Sequence, residues 1–407
     1  RPFRRAGANA APPPGYQVRS TSGTRNAMGG IYLDHAATTP VRPEVRNAMA
    51  PWLEGEAGNP SSLHAWGRRA RAALEEARER LAAALGAAPD EVVFTSGGTE
   101  ANHLAIVGRA LAAPGKRVLV SAVEHRSVLG AAEVAAELGH PTERLPVDTA
   151  GCVDLAALET RLRAGPVAVV AVQWVNNELG TVQPVAQVAA LAHAYAAVVH
   201  TDAIQAIGKV PVDWAAAGVD LLTLSGHKLG APPGIGALVV RRGVALRPLL
   251  RGGAQEFGRR AGTEPLPAAV GLAVAVELAV RERAARTERW RALRQRLEEG
   301  LRARVPDVWI HAADASRSPA IVSFSVPEAD GLVLALDLEG IAVSAGSACA
   351  SGSPEPSHVL EAIKLPAERR GSTVRVSFGP DTSEADVDRL LETLPRVLDR
   401  LRSWVLR

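Results

Sequence analysis

Cysteine is nearly missing from this sequence, which has only Cys152 and Cys349 in 407 residues. A disulfide framework and a cysteine-rich zinc site are thereby excluded, and a reducing cytoplasm is the expected setting. Long apolar runs are missing too. Each is soon broken by charge or glycine, and none approaches the ~20 residues that a membrane span requires, so no membrane association is expected. Charge of one sign is not concentrated. Forty-six basic against 43 acidic side chains leave a net charge of +3. No basic stripe with interleaved aromatics follows, so direct nucleic-acid binding is not expected. Lysine is scarce: Lys116, Lys209, Lys228 and Lys364 are the whole complement among 46 basic side chains. Where a plain positive charge suffices this chain uses arginine. A lysine beside a strand end therefore points to an amine that must at times be neutral, which arginine cannot be.

What is present describes a globular protein, 47% hydrophobic and 22% charged, long enough for two domains. Residues 1–30 contain no acid and no periodicity, and Met28 stands just before the first structured-looking run, so they read as a disordered or mis-assigned tail. Ile31 to Asp34 reads as a short strand. From there, apolar runs at Val92-Val93-Phe94, Val118 to Val120, Val167 to Val172, Val198 to His200 and Leu221 to Ser225 alternate with helical patterns over Ala101 to Ala112, Val128 to Leu138 and Val185 to Tyr195. This alternation predicts an α/β fold with a mainly parallel sheet covered on both faces. A long helical stretch from Leu266 to Arg304, with Trp290, Leu293, Leu297 and Leu301 on one stripe, reads as the link to a smaller α+β domain. That domain should carry strands near Ile321 to Val326 and Val374 to Phe378, and a last helix from Ser383 with Pro395 kinking or breaking it. The expected division is 31–45 as a segment packing with the small domain, 46–285 as the large domain and 286–407 as the small one.

In such sheets ligands gather at the carboxyl ends of the strands, where this sequence places His125, Asn177, Asp202, Gln205, Ser225, His227 and Lys228. An amine such as Lys228 can bond an aldehyde, and a carboxylate such as Asp202 can keep a pyridine nitrogen protonated. Together they point to pyridoxal phosphate chemistry. The turn Gly97-Gly98-Thr99, lying between a strand and a helix N-terminus, is an anion site suited to the phosphate, with Ser225 and His227 beside it. His125 would stack on the ring and shuttle a proton.

Seven motifs occur in one order: Ser96-Gly97-Gly98-Thr99-Glu100, Glu124-His125, Val175-Asn176-Asn177-Glu178, His200-Thr201-Asp202-Ala203-Ile204-Gln205, Ser225-Gly226-His227-Lys228, Arg260-Ala261-Gly262-Thr263 and Gly346-Ser347-Ala348-Cys349. In this order, and with the opening Tyr32 to Pro40, the chain resembles cysteine desulfurases of the NifS/IscS group, within the class V aminotransferase superfamily of fold type I. The resemblance implies pyridoxal 5'-phosphate as cofactor, carried on Lys228, with Asp202 at the ring nitrogen, Gln205 at the ring hydroxyl and His125 on the ring face. It implies phosphate contacts from Gly98, Thr99, Ser225 and His227, and from Thr263 to the phosphate of a neighbouring subunit, hence a homodimer. Arg375 matches the clamp for the substrate carboxylate and Asn177 lines the same site.

Cys349 matches the nucleophile. It lies in a stretch of small and breaker residues from Ser344 to Pro354 that cannot build a packed element of its own, which suits a thiolate that must enter the site and leave with product. The implied reaction is removal of sulfur from L-cysteine, giving L-alanine and a persulfide on Cys349. The sulfur would pass to an acceptor protein such as an iron–sulfur scaffold or a tRNA-thiolation enzyme. No metal site is expected, although Cys349 could contact a nascent iron–sulfur cluster. Rival readings are another class V reaction, such as amino transfer or selenocysteine lysis, and a binding protein on the same fold without cofactor.

Overall fold

The structure, a computed structural model, describes residues 30–56, 58–346 and 357–405. Among them the strands are β1 (Ile31–Tyr32), β2 (Val92–Thr95), β3 (Arg117–Ser121), β4 (Thr142–Leu145), β5 (Val167–Ala171), β6 (Val198–Asp202), β7 (Leu221–Ser225), β8 (Gly236–Val240), β9 (Trp309–Ile310), β10 (Ile321–Ser325), β11 (Ile341–Ala342) and β12 (Thr373–Ser377). The central sheet has seven strands in the order β2-β8-β7-β6-β5-β3-β4, with β8 alone antiparallel to its neighbours. Strands β2, β5, β7 and β8 are buried at every position. That is why β2, β5 and β7 read as mainly apolar runs: a sheet covered on both faces has no polar side to alternate with.

Side-chain alternation splits the covering layers. Val118 and Val120 of β3 join Ile106 and Val128 of the helices Gly98–Leu111 and Arg126–Glu137 in one core. Leu119, between them, faces the main core with Leu74, Leu81, Val188 and Leu272. The helix Ala65–Leu85 buries Leu74, Ala77, Leu81 and Leu85 as its spacing predicts. A second core surrounds the antiparallel sheet β12-β10-β9, where Trp290, Leu293, Leu297 and Leu301 pack with Phe324, Val376, Leu390 and Leu394. One helix, Leu266–Arg304, serves both cores: Leu266 to Ala279 in the first, Trp290 to Leu301 in the second. Strand β1 pairs in parallel with β11, so the first described residues join the second core through Leu33.

Of the kink or break expected at Pro395, the break does not occur. The helix Glu384–Val405 runs through it, because Leu390, Leu391, Leu394, Val397 and Leu398 form a continuous buried stripe across the proline. Burial of these side chains, at about 1.5–3 kcal/mol each, outweighs the roughly 3 kcal/mol cost of proline in a helix interior. At its start Ser383 and Asp386 cap each other reciprocally, Ser383 N donating to Asp386 at 2.8 Å and Asp386 N to Ser383 Oγ at 3.3 Å.

One buried ion pair fixes the sheet edge next to the glycine turn. Arg78 and Glu256 have side chains only 1% exposed and meet through two hydrogen bonds of 2.8 Å, while Glu256 also accepts from Phe94 N and Arg78 donates to Val92 O. Removing one partner leaves a buried charge uncompensated. Arg78→Met should cost about 3–5 kcal/mol in denaturant unfolding, and adding Glu256→Gln should recover part of it. A single variant within 1 kcal/mol of the parent would show the pair to be dispensable.

Candidate active site

Because β2, β3, β5, β6 and β7 run in one direction, their carboxyl ends open on one edge of the sheet. After β2 the chain turns at Gly97 into the helix Gly98–Leu111, whose first turn is capped by no side chain. A Cβ on Gly98 would overlap Ile204 and lie 3.5 Å from Ser225 Cβ. Glycine is therefore what lets this turn close onto the ends of β6 and β7. Uncapped amides at a positive helix end, facing Ser225, can hold an anion. Behind the turn, Arg260 pairs with Glu100 at 2.8 Å and Glu100 accepts from Ser96 N at 2.7 Å. Thr263, three residues after Arg260, is exposed on this chain.

Asp202 closes β6 and is 5% exposed, accepting from Ile204 N at 3.0 Å and from Asn102 Nδ2 at 2.9 Å. The same Asn102 nitrogen lies 2.8 Å from Ser127 Oγ, which is 2.8 Å from Nδ1 of His125. A polar chain thus runs from His125 through Ser127 and Asn102 to Asp202. Asn102 and Ser127 are site residues that the sequence reading missed. Asn102 stands one helical turn after Gly98, which was the available signal, but nothing in its residue type announces a role. Glu124, beside His125, is fully buried, and its carboxyl is held well above the usual carboxylate range by burial and then by the charge of Asp202.

Lys228 follows β7 in the short helical turn Gly226–Lys228. Its Nζ donates to the carbonyls of Ala36 at 2.6 Å and Ala37 at 2.5 Å. Gln205, three residues after Asp202, donates from Nε2 to that same Ala36 carbonyl at 2.9 Å. Lys228 and Gln205 therefore converge on one oxygen at the ends of adjacent strands. His227 lies 3.3 Å from Thr38 Oγ1 and is pushed down to about 4 by burial, then by Lys228 and Lys209, so its imidazole is neutral at ordinary pH.

Arg375, from β12, enters from the second core. It is 1% exposed, donating to Asp34 Oδ1 at 2.7 Å and to the Asn177 carbonyl at 3.0 Å, while its buried Nε has no partner among the described residues. The backbone of Asn177 is thereby brought to Arg375. Asp34 is the partner that sequence could not supply, 341 positions away. Cys349 lies outside the described residues, but those bordering its segment are placed. Ser357 Oγ donates to Glu178 Oε2 at 2.6 Å, and a Cβ on Gly346 would lie 3.1 Å from that same oxygen.

Glu178 is 3% exposed and its carboxyl is pushed up to about 7 by burial, against the opposing pull of Ser357, Arg375, His125 and Arg126. Its native value is above the unfolded one, so its stabilising contribution is complete below about pH 4 and is lost as pH rises through 7. Glu178→Gln should therefore flatten the fall in Tm between about pH 5 and 8 relative to the parent. Equal slopes in the two proteins would count against a proton held at that oxygen. Among the described residues, no group of three His, Cys, Asp or Glu side chains is placed to hold a metal ion, and no helix is long and apolar enough to cross a membrane.

This is the site of a class V aminotransferase fold. The family model "Aminotransferase class-V" matches residues 31–390, and the chain belongs to that family. It is 43% identical, over 92% of its length and 95% of the relative's, to the cysteine desulfurase IscS of Dictyoglomus turgidum. Among solved structures it is similar to a NifS-like protein, with a TM-score of 0.85 and 33% identity over 91% of this chain and all of that one. It is also similar to SspA in complex with cysteine, with a TM-score of 0.76 and 35% identity over 87% of this chain and all of that one.

Proposed function

We propose that this protein is a pyridoxal-phosphate-dependent cysteine desulfurase that takes sulfur from L-cysteine, releases L-alanine and holds the sulfur as a persulfide on Cys349 for an acceptor protein. The observation that carries this reading is the convergence of Lys228 Nζ and Gln205 Nε2 on the Ala36 carbonyl, beside Asp202. The donor set fits the cofactor. A buried carboxylate held by neutral donors suits a protonated ring nitrogen, and the uncapped turn at Gly98 with Ser225 suits a phosphate. Gln205 would serve the ring oxygen, His125 the ring face, Thr99 and His227 the phosphate, and Thr263 the phosphate of a second subunit in a homodimer. Pyridoxal phosphate, when bound, supplies an electron sink for the substrate Cα.

The chain's own residues do the rest. The unpartnered Nε of Arg375, with Asn177 beside it, receives the substrate carboxylate and orients the amino acid. Lys228 Nζ takes the proton from Cα, and His125 moves protons at the substrate sulfur. The Cys349 thiolate attacks that sulfur, and the C–S bond electrons pass to the substrate carbon, which is protonated on the way to alanine. The test is to incubate the purified chain with pyridoxal phosphate and L-cysteine and measure alanine and sulfur together. Equimolar alanine and sulfur supports the reading; amino transfer to a keto acid without alanine from cysteine overturns it.

A further inference from the structure

The one buried lysine among the described residues has no part in the reaction above. Lys209 ends the turn that follows β6, its backbone N donating to Ala206 O at 2.9 Å, and is 6% exposed. Its Nζ donates to Gln205 Oε1 at 2.5 Å. With Lys228, His35 and Thr39 it lines one small cavity between the two cores. It makes no ion pair with a carboxylate among the described residues. Burial first, and then the positive charges of Lys228 and Arg375, push its amine down to about 7. A buried cation among cations is costly. If filling space were its only task, an apolar side chain would serve better, so what the position requires is the amine.

Lys209 is the donor in this contact, whereas a carboxamide has one end of each kind. Facing Lys209, the Gln205 carboxamide must turn Oε1 toward the amine, which leaves Nε2 on the opposite side. There it donates to the Ala36 carbonyl that also receives Lys228. The Ala36 carbonyl, which can only accept, favours the same orientation from the other end; without Lys209, Oε1 would be left buried and unpaired and that one carbonyl contact alone would hold the carboxamide.

We propose that Lys209 is a positioning residue: it grips Gln205 by Oε1 so that the NH2 group is presented as a fixed donor at the Lys228 end of the site, ready for the cofactor's ring oxygen. This rests on the pyridoxal phosphate reading above. The experiment is a double-mutant cycle on the full chain stripped of cofactor, with pyridoxal phosphate affinity measured by absorbance titration and folding by thermal melting. Lys209→Met and Gln205→Ala should each weaken binding roughly tenfold, the size of one lost hydrogen bond to a charged group. The double variant should be no weaker than Gln205→Ala alone. Additive losses, or no loss from Lys209→Met, would overturn the proposal, since a merely structural lysine would act equally in both backgrounds. If Lys209→Met does not fold, Lys209→Gln takes its place in the same cycle, with a smaller loss because a donor is retained. A parent chain that binds no pyridoxal phosphate would overturn the cofactor reading itself, which separates the two failures.

Discussion

Lys228→Ala should lower alanine release from L-cysteine by about 10⁴-fold, the upper range for a positioned acid–base group. Two proposed roles would be lost together: the amine that would hold the cofactor and the base that would take the Cα proton. Arginine would not restore them, because its guanidinium stays protonated. The fold should survive, since Lys228 is only half-buried and the Ala36 carbonyl it leaves still receives Gln205 Nε2. Thermal melting and alanine release measured on one preparation separate loss of chemistry from loss of structure. A folded variant within tenfold of the parent would remove Lys228 from the mechanism.

Cys349→Ala should abolish desulfuration while leaving the bound cofactor's absorption unchanged. The cofactor contacts assigned above come from strand ends and the glycine turn, and none comes from this segment. The residues flanking the segment, Gly346 and Ser357, both lie against Glu178, one residue from the Asn177 carbonyl that Arg375 holds. The thiol's segment therefore begins and ends beside the place proposed for the substrate. The other cysteine is not a substitute: burial and Asp148 push the Cys152 thiol up, away from the thiolate form that attacks sulfur. Alanine and sulfide released at the parent's rate by Cys349→Ala would refute the assignment. Retained cofactor absorbance with no alanine would place the loss at the sulfur-transfer step.

Legibility in the sequence followed local physics. Strands β5 and β7 could be read because both faces are covered, and the helix Leu266–Arg304 because its apolar residues keep helical spacing through both cores. Strand β4, Thr-Glu-Arg-Leu at the sheet edge, is buried at Leu145 alone and carries no apolar run to read. Strand β8 follows a run of proline and glycine that reads as loop, yet it is buried throughout and is the one strand reversed in the sheet. Pro395 does not break its helix because the leucine stripe outweighs the proline's propensity. In the site, Lys228 and Asp202 were legible because type and strand-end position both point to chemistry. Asn102, Ser127 and Asp34 were not, since each acts by meeting a residue that only the folded chain brings near.

The short ribbon from Ile31 to Ala37 ties β11, Arg375 and Lys228 to one another through Tyr32, Asp34 and the two alanine carbonyls. It adds nothing to the seven-stranded sheet. A protease that clipped it away would leave every strand of that sheet in place, while taking Leu33 out of the second core and the two carbonyls away from Lys228. Fusion partners are therefore best joined ahead of Gly30, and a preparation's mass at that end is a better guide to its competence than its helicity.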